Sequence, residues 1–231
     1  MTSVWSRLMV ILSLAGATTG AAAQDAPEYR MEVGGGVGLL SYQGDFNGSV
    51  LKNQQGAVAL TARYKLNPRM AWNAALTYSK LKGDAKDSGT WYPAEQPPLA
   101  WTFSNPLMDL SVRYEYNFWA FGTGREYYGA RRVAPFLTMG LGLTYADAKP
   151  GAFALNVPMG AGVKVKVAER LNLTAEWVMH FTGSDKLDGV SDPYGIKSSG
   201  LFKNTDCYSA LTVALTYDIW EKCKTCNNDR D

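Results

Sequence analysis

The 231-residue chain holds only three cysteines and one histidine, and behind its first 23 positions it has no long apolar run. Each shortage closes off a class of protein. Cys223 and Cys226 form Cys-Lys-Thr-Cys, but a tetrahedral zinc site would still lack two ligands. A redox Cys-X-X-Cys stands at the start of a helix in a thioredoxin-like fold, and no such pattern surrounds this one. A helical span needs about 20 consecutive apolar residues. With none available, any insertion into a bilayer must use strands closed into a barrel. Charge of one sign is scarce too: Lys+Arg number 23 and Asp+Glu 21, a net of +2. That balance argues against a nucleic-acid partner.

Residues 1–23 read as a cleavable secretory signal. Arg7 gives the basic start, Leu8 to Ala15 the apolar core, and Ala21-Ala22-Ala23 the small residues of a cleavage site. The apolar run is too short for an anchor, and no cysteine stands at the cleavage site to take a lipid. Residues 24–220 read as one β-barrel domain, and 221–231 as a periplasmic tail carrying Cys-Lys-Thr-Cys.

What the chain does have is alternation. In LNLTAEWVMHFT, residues 171–182, Leu171, Leu173, Ala175, Trp177, Met179 and Phe181 share one face. Asn172, Thr174, Glu176, Val178, His180 and Thr182 share the other. Similar segments run near 29–42, 56–66, 70–81, 106–118, 133–145, 153–167 and 207–220. A soluble β-sandwich also alternates. Eight segments behind an export signal, with aromatics such as Tyr64, Tyr78, Tyr145 and Trp220 gathered at their ends, instead predict an all-β fold: an eight-stranded antiparallel up-and-down transmembrane β-barrel of the outer membrane. Tyr29 is assigned to the same aromatic girdle.

An even strand count places both termini on the periplasmic side. The turns at Asn67-Pro68-Arg69 and Ala168-Glu169-Arg170 are short, as periplasmic turns should be, and the loops 82–105 and 183–206 are long, as external ones should be. The connection 119–132 departs from this rule, being long and basic on the periplasmic side, with Arg125, Arg131 and Arg132. It is expected to hang from that face.

On the inward faces Arg30, Arg63, Lys65, Arg113, Lys164 and Lys166 meet Glu32, Asp109, Glu115, Glu176 and Asp218. Side chains just fill an eight-stranded barrel, so the near balance predicts a paired plug rather than a conducting pore. His180, with Ser184, Asp185 and Asp188 following, could in principle run acyl chemistry on lipid. Its inward parity opposes that, because a lipid-working site must open to the bilayer. Cys207 lies at the far end of the last strand from Cys223, beyond disulfide reach, so a pairing of Cys223 with Cys226 or with another chain is expected.

Three stretches carry a resemblance: YEYNFWAFGTGREYYGARRVAPF at 114–136, SDKLDGVSDPYGIKSSGLFKNTDCYSAL at 184–211, and LTYDIWEKCKTC at 215–226. They resemble PorG-type outer-membrane barrels of the type IX protein secretion system. The resemblance implies a non-enzymatic barrel, without cofactor, that holds a periplasmic ring of PorK and PorN proteins against the outer membrane. Arg125, Arg131, Arg132, Cys223 and Cys226 are the partner-binding residues expected from topology. The alternative is a structural or adhesive OmpA-like envelope barrel, using Trp91, Tyr92, Pro97, Pro98 and Trp101 of the loop 82–105.

Overall fold

Strict two-residue alternation gives a sheet two faces of different chemistry, and closure of the sheet turns those faces into an inside and an outside. The computed structural model describes residues 29–43, 52–84, 102–123, 129–148, 151–184, 187 and 206–221. Within them run β1 (Tyr29–Gln43), β2 (Gln55–Asn67), β3 (Met70–Asp84), β4 (Thr102–Asn117), β5 (Val133–Ala146), β6 (Ala152–Lys166), β7 (Leu171–Thr182) and β8 (Cys207–Glu221). Each strand pairs antiparallel with the next, and β8 returns to β1 from Tyr29↔Glu221 to Gln43↔Cys207, closing an eight-stranded barrel.

The two faces are inverted relative to a soluble protein. Leu141 is 72% exposed and Leu155 76% exposed on the outer wall, whereas Glu115 and Asp218 are 0% exposed inside. A water-soluble sandwich buries its apolar face. A continuous apolar wall around a polar interior needs hydrocarbon outside it. Aromatic pairs rim the wall: Trp72 meets Tyr114 edge-on at 5.4 Å near one end, and Tyr145 meets Phe153 at 4.7 Å near the other. Tyr29 stands at the turn-end start of β1, paired with Glu221, but is covered. Its ring is buried beneath the Arg170 guanidinium at 4.4 Å, and its hydroxyl donates to Glu221 at 2.9 Å.

The end holding the start of β1 and the finish of β8 also holds the short turns, and is called here the turn end. Asn67 Oδ1 accepts from the Arg69 N–H at 2.9 Å, fixing the β2–β3 turn. Ala168 and Leu171 exchange backbone bonds of 3.1 and 3.3 Å across the β6–β7 turn. At the opposite, loop end two strands outrun the expected boundaries. Lys82↔Ser104 and Asp84↔Thr102 are strand pairs, where the sequence pattern placed loop. The outward residues there are polar, so the apolar signal stops before the hydrogen-bond ladder does.

Glycine sets the curvature where β1 meets β8. A Cβ on Gly34 would stand 2.0 Å from the Leu215 carbonyl oxygen, so no larger residue fits this close approach.

Replacing Leu141 by Lys tests what surrounds the wall. Near a bilayer midplane the change costs about 2–4 kcal/mol, read as a lower urea midpoint in lipid vesicles. A wall facing water would leave stability unchanged.

Candidate functional site: a filled lumen and its cap

Glu115 of β4 anchors the turn-end half of the lumen. Its carboxylate accepts from Arg63 Nε at 2.7 Å, Arg63 Nη2 at 3.2 Å, Asn73 Nδ2 at 2.6 Å and Lys164 Nζ at 2.5 Å. Arg63 reaches Glu32 with its remaining nitrogen, and Lys65 bridges Glu32 at 2.9 Å and Asp218 at 2.7 Å. Asn172 donates to both Glu32 and Asp218, at 3.2 and 3.3 Å. These groups come from every strand but β5, and β5 contributes Phe136, whose ring lies 4.6 Å from the Lys164 ammonium. The guanidinium fork suits this task, since it can serve two carboxylates in a fixed plane.

The loop-end half is built differently. Asp109 accepts from Asn156 at 2.6 Å, Tyr208 at 2.9 Å and Thr144 at 3.1 Å. Beyond this cluster the lumen turns apolar, with Leu40, Tyr42, Leu81, Phe103, Leu107 and Leu187 packed together. The Tyr42 hydroxyl and the Leu187 N–H both donate to Asp206, at 2.6 and 2.9 Å. The sequence reading missed this apolar stopper. Its signal was there: Leu40 and Tyr42 continue the inward parity of Gly36 and Gly38.

Between the halves lies a cavity of about 30 Å³, lined by Thr61, Arg113, Glu176 and Thr212 among others. Arg113 donates to Glu176 across it at 2.9 Å. Its size and polar lining suit one or two ordered waters and no channel.

The described start of the β4–β5 connection, residues 118–123, folds across the lumen mouth at the turn end. The Phe121 N–H donates to the Pro68 carbonyl at 2.9 Å, and Phe121 is buried. The Thr123 hydroxyl donates to the Glu169 carbonyl at 2.9 Å, with Asp218 Oδ2 at 3.2 Å, and itself receives a bond from Lys166. The Thr123 carbonyl accepts the Tyr29 N–H at 3.4 Å. Residues 118–123 thus cap the barrel and tie its turns together. Burial of the Phe121 ring in the mouth favours this cap, since it removes apolar surface from water.

Arg131 and Arg132 remain exposed beside the cap, as a partner-binding role requires. The Arg131 guanidinium lies 4.6 Å from the Trp119 ring, and its N–H donates to the Ala120 carbonyl at 3.0 Å. Arg125, Cys223 and Cys226 lie outside the described residues, as do the signal segment 1–23, all of the tail after Glu221, and Trp91, Tyr92, Pro97, Pro98 and Trp101. The inward charges take the predicted side, with one exception: Arg30 sits half-exposed at the rim, outside the ion network. Cys207 is unpaired.

His180 faces the lumen, stacked on Tyr208 at 4.4 Å, with Nδ1 3.4 Å from Asn156 Oδ1. Asp185 and Asp188 lie outside the described residues. As the chain's single histidine is enclosed, no imidazole base opens to the lipid side. Among the described residues no His, Cys, Asp and Glu cluster is arranged to hold a metal ion.

A family model, Domain of unknown function (DUF6089), matches residues 7–228. The chain belongs to the DUF6089 family. No curated protein matches it. Among solved structures, this DUF6089 chain is similar to Neisserial surface protein A, at 16% identity over 82% of this chain and 97% of that one, with a TM-score of 0.48. It is also similar to Ail, the attachment invasion locus protein of Yersinia pestis, at 13% identity over 83% and 99% with a TM-score of 0.45. The outer membrane enzyme PagL matches at 12% identity over 81% and 99%, with a TM-score of 0.40.

Truncating Glu115 to Ala in the DUF6089 barrel strands Arg63, Lys164 and Asn73. The expected loss is about 3–5 kcal/mol of folding free energy, measured by urea titration in vesicles. In planar bilayers the intact protein should give no stable open-channel step, and a sustained current would refute the filled lumen.

Proposed function

We propose that this protein is a non-enzymatic outer-membrane anchor of a type IX secretion machine, with its turn end in the periplasm against a ring of PorK- and PorN-like proteins. The observation that carries this reading is the cap. A lumen filled with paired charges and stoppered by apolar side chains offers nothing to transport, so function is displaced to the ends. At the turn end residues 118–123 form a bonded platform, and Arg131 and Arg132 stand exposed beside it. Exposed arginines on an ordered base lose little freedom on binding and suit an acidic protein surface. Support also comes from the resemblance of 114–136, 184–211 and 215–226 to PorG-type barrels, the first of which contains the cap.

In this reading Arg125 joins Arg131 and Arg132 at the contact, and Cys223 with Cys226 forms either a small tail loop or a bond to the partner. The arginines act by steering and rim contact, so reversing them weakens association without touching the fold.

Exchanging Arg125, Arg131 and Arg132 for Glu should cut recovery of the periplasmic ring in a pull-down by roughly ten-fold or more, on the scale of several lost charge contacts. Recovery equal to that of the native protein would rule the contact out. Running the same pull-down without reductant shows whether the cysteines bond to the partner. Deleting residues 85–101 should leave ring recovery intact, and its loss would shift the contact to the loop end.

A further inference from the structure

Charge is almost absent from the barrel's outer wall. Among outward-facing strand positions whose side chains are described, the charged residues are Lys80, Lys82 and Glu221. Glu221 ends β8 at the turn end, where it takes the Tyr29 hydroxyl. Lys80 and Lys82 stand at the loop end of β3, both exposed, on the face that carries Trp72, Leu76 and Tyr78. Same-face neighbours on a strand are about 6.8 Å apart. Lys80 is therefore one such step beyond the Tyr78 belt position and Lys82 two, which is the height of a lipid headgroup layer.

Among the described residues neither lysine is ion-paired. The pairing of β2 with β3 stops at Val58↔Tyr78, and Gly56 has nothing within 4 Å of the place a Cβ would occupy. Across β4 the lysines' partners are Pro106 and Ser104, both uncharged. Asp147, whose N–H donates to the Pro106 carbonyl at 2.9 Å, is exposed on the far side of β4 and is not ion-paired to either lysine. Asp84 is the last residue of β3.

Lysines above a hydrocarbon belt commonly snorkel to water. Two on one strand, on a wall otherwise free of charge, present a fixed pair of ammonium groups to phosphates in one leaflet. We propose that Lys80 and Lys82 clamp the phosphate of a phosphorylated glycolipid of the lipid A class in the outer leaflet. This rests on the reading above that the loop end faces outward.

The test uses the full chain refolded in phosphatidylcholine nanodiscs. It is titrated with bis-phosphorylated lipid A, with the same lipid stripped of phosphate, and with phosphatidylglycerol, and bound lipid is counted by native mass spectrometry. The phosphorylated glycolipid should be retained about ten-fold over the stripped form, the scale set by two interfacial lysines. Lys80→Gln with Lys82→Gln should bring that ratio close to unity, and Lys80→Arg with Lys82→Arg should restore it. A preference that survives the glutamine exchange, or equal retention of phosphatidylglycerol, overturns the clamp. Heat-dependent gel migration verifies that each variant is folded. Ring recovery is measured on the same variants: loss of lipid preference with the ring retained isolates the clamp, and an absent ring with lipid preference intact refutes the anchor reading alone.

Discussion

The contact on which the rest depends is the one between Glu115 and Arg63. A buried ion is unfavourable by several kcal/mol unless its partners are close and its remaining hydrogen-bonding sites are filled. Here three carboxylates, Glu32, Glu115 and Asp218, meet three cations, Arg63, Lys65 and Lys164, with Lys166 a further 3.8 Å from Asp218. The network is nearly neutral and spans the barrel. Its value lies in specificity more than in strength, because a one-residue slip of β1, β2, β4, β6 or β8 would turn its charge out to hydrocarbon. Fixed register in turn places Lys166 and Asp218 at the mouth, where they receive Thr123. The ion network thus supplies two of the cap's anchors, beside the burial of Phe121.

The lumen's two halves answer different problems. Near the turn end the β2–β3 and β6–β7 connections are short, and charged side chains on neighbouring strands saturate one another. At the loop end the strands run 12–16 residues, longer than the about 9–11 needed to cross a bilayer. That excess must be closed from within, and Leu40, Leu81, Phe103, Leu107 and Leu187 do so as a small hydrophobic core. Asp206 fastens it by accepting from Tyr42 and Leu187 at once.

Most of this wall was legible in the sequence because period-two alternation needs no tertiary knowledge. Leu137, Met139, Leu141 and Leu143 announce the lipid face of β5, and Arg63 and Lys65 the inner face of β2. Three features were not legible, each for a physical reason. The β3–β4 extension past Leu81 has polar outward residues, so the pattern fades while the ladder continues. The cap looked like a basic segment hanging from the face because charge was counted, whereas burial of Phe121 favours its place across the mouth. Tyr29 was placed with the girdle by type and position, but Arg170, folding from the β6–β7 turn, covers its ring. The last two are contacts between distant parts of the chain, and local periodicity carries no information about them.

The Asp109–His180–Tyr208 cluster shows why composition of a site is a poor guide to its use. An acid, an imidazole and a hydroxyl within a few ångströms could be written as a catalytic set. Yet Tyr208 donates to Asp109 and stacks flat on His180, and Asn156 fills the imidazole's accessible edge. Asp109 Oδ2 is spent on holding its neighbours, while Oδ1 lies 3.8 Å from the imidazole Nδ1 without a hydrogen bond. Access is lacking as well, since β6, β7 and β8 stand between the cluster and the lipid and the apolar stopper closes the loop-end approach. The outer wall of the described strands carries hydroxyls such as those of Tyr78 and Tyr145, and its charged residues are Lys80, Lys82 and Glu221. The described interior is therefore committed to holding the strands in register, and the two rims are the surfaces it leaves open to solvent.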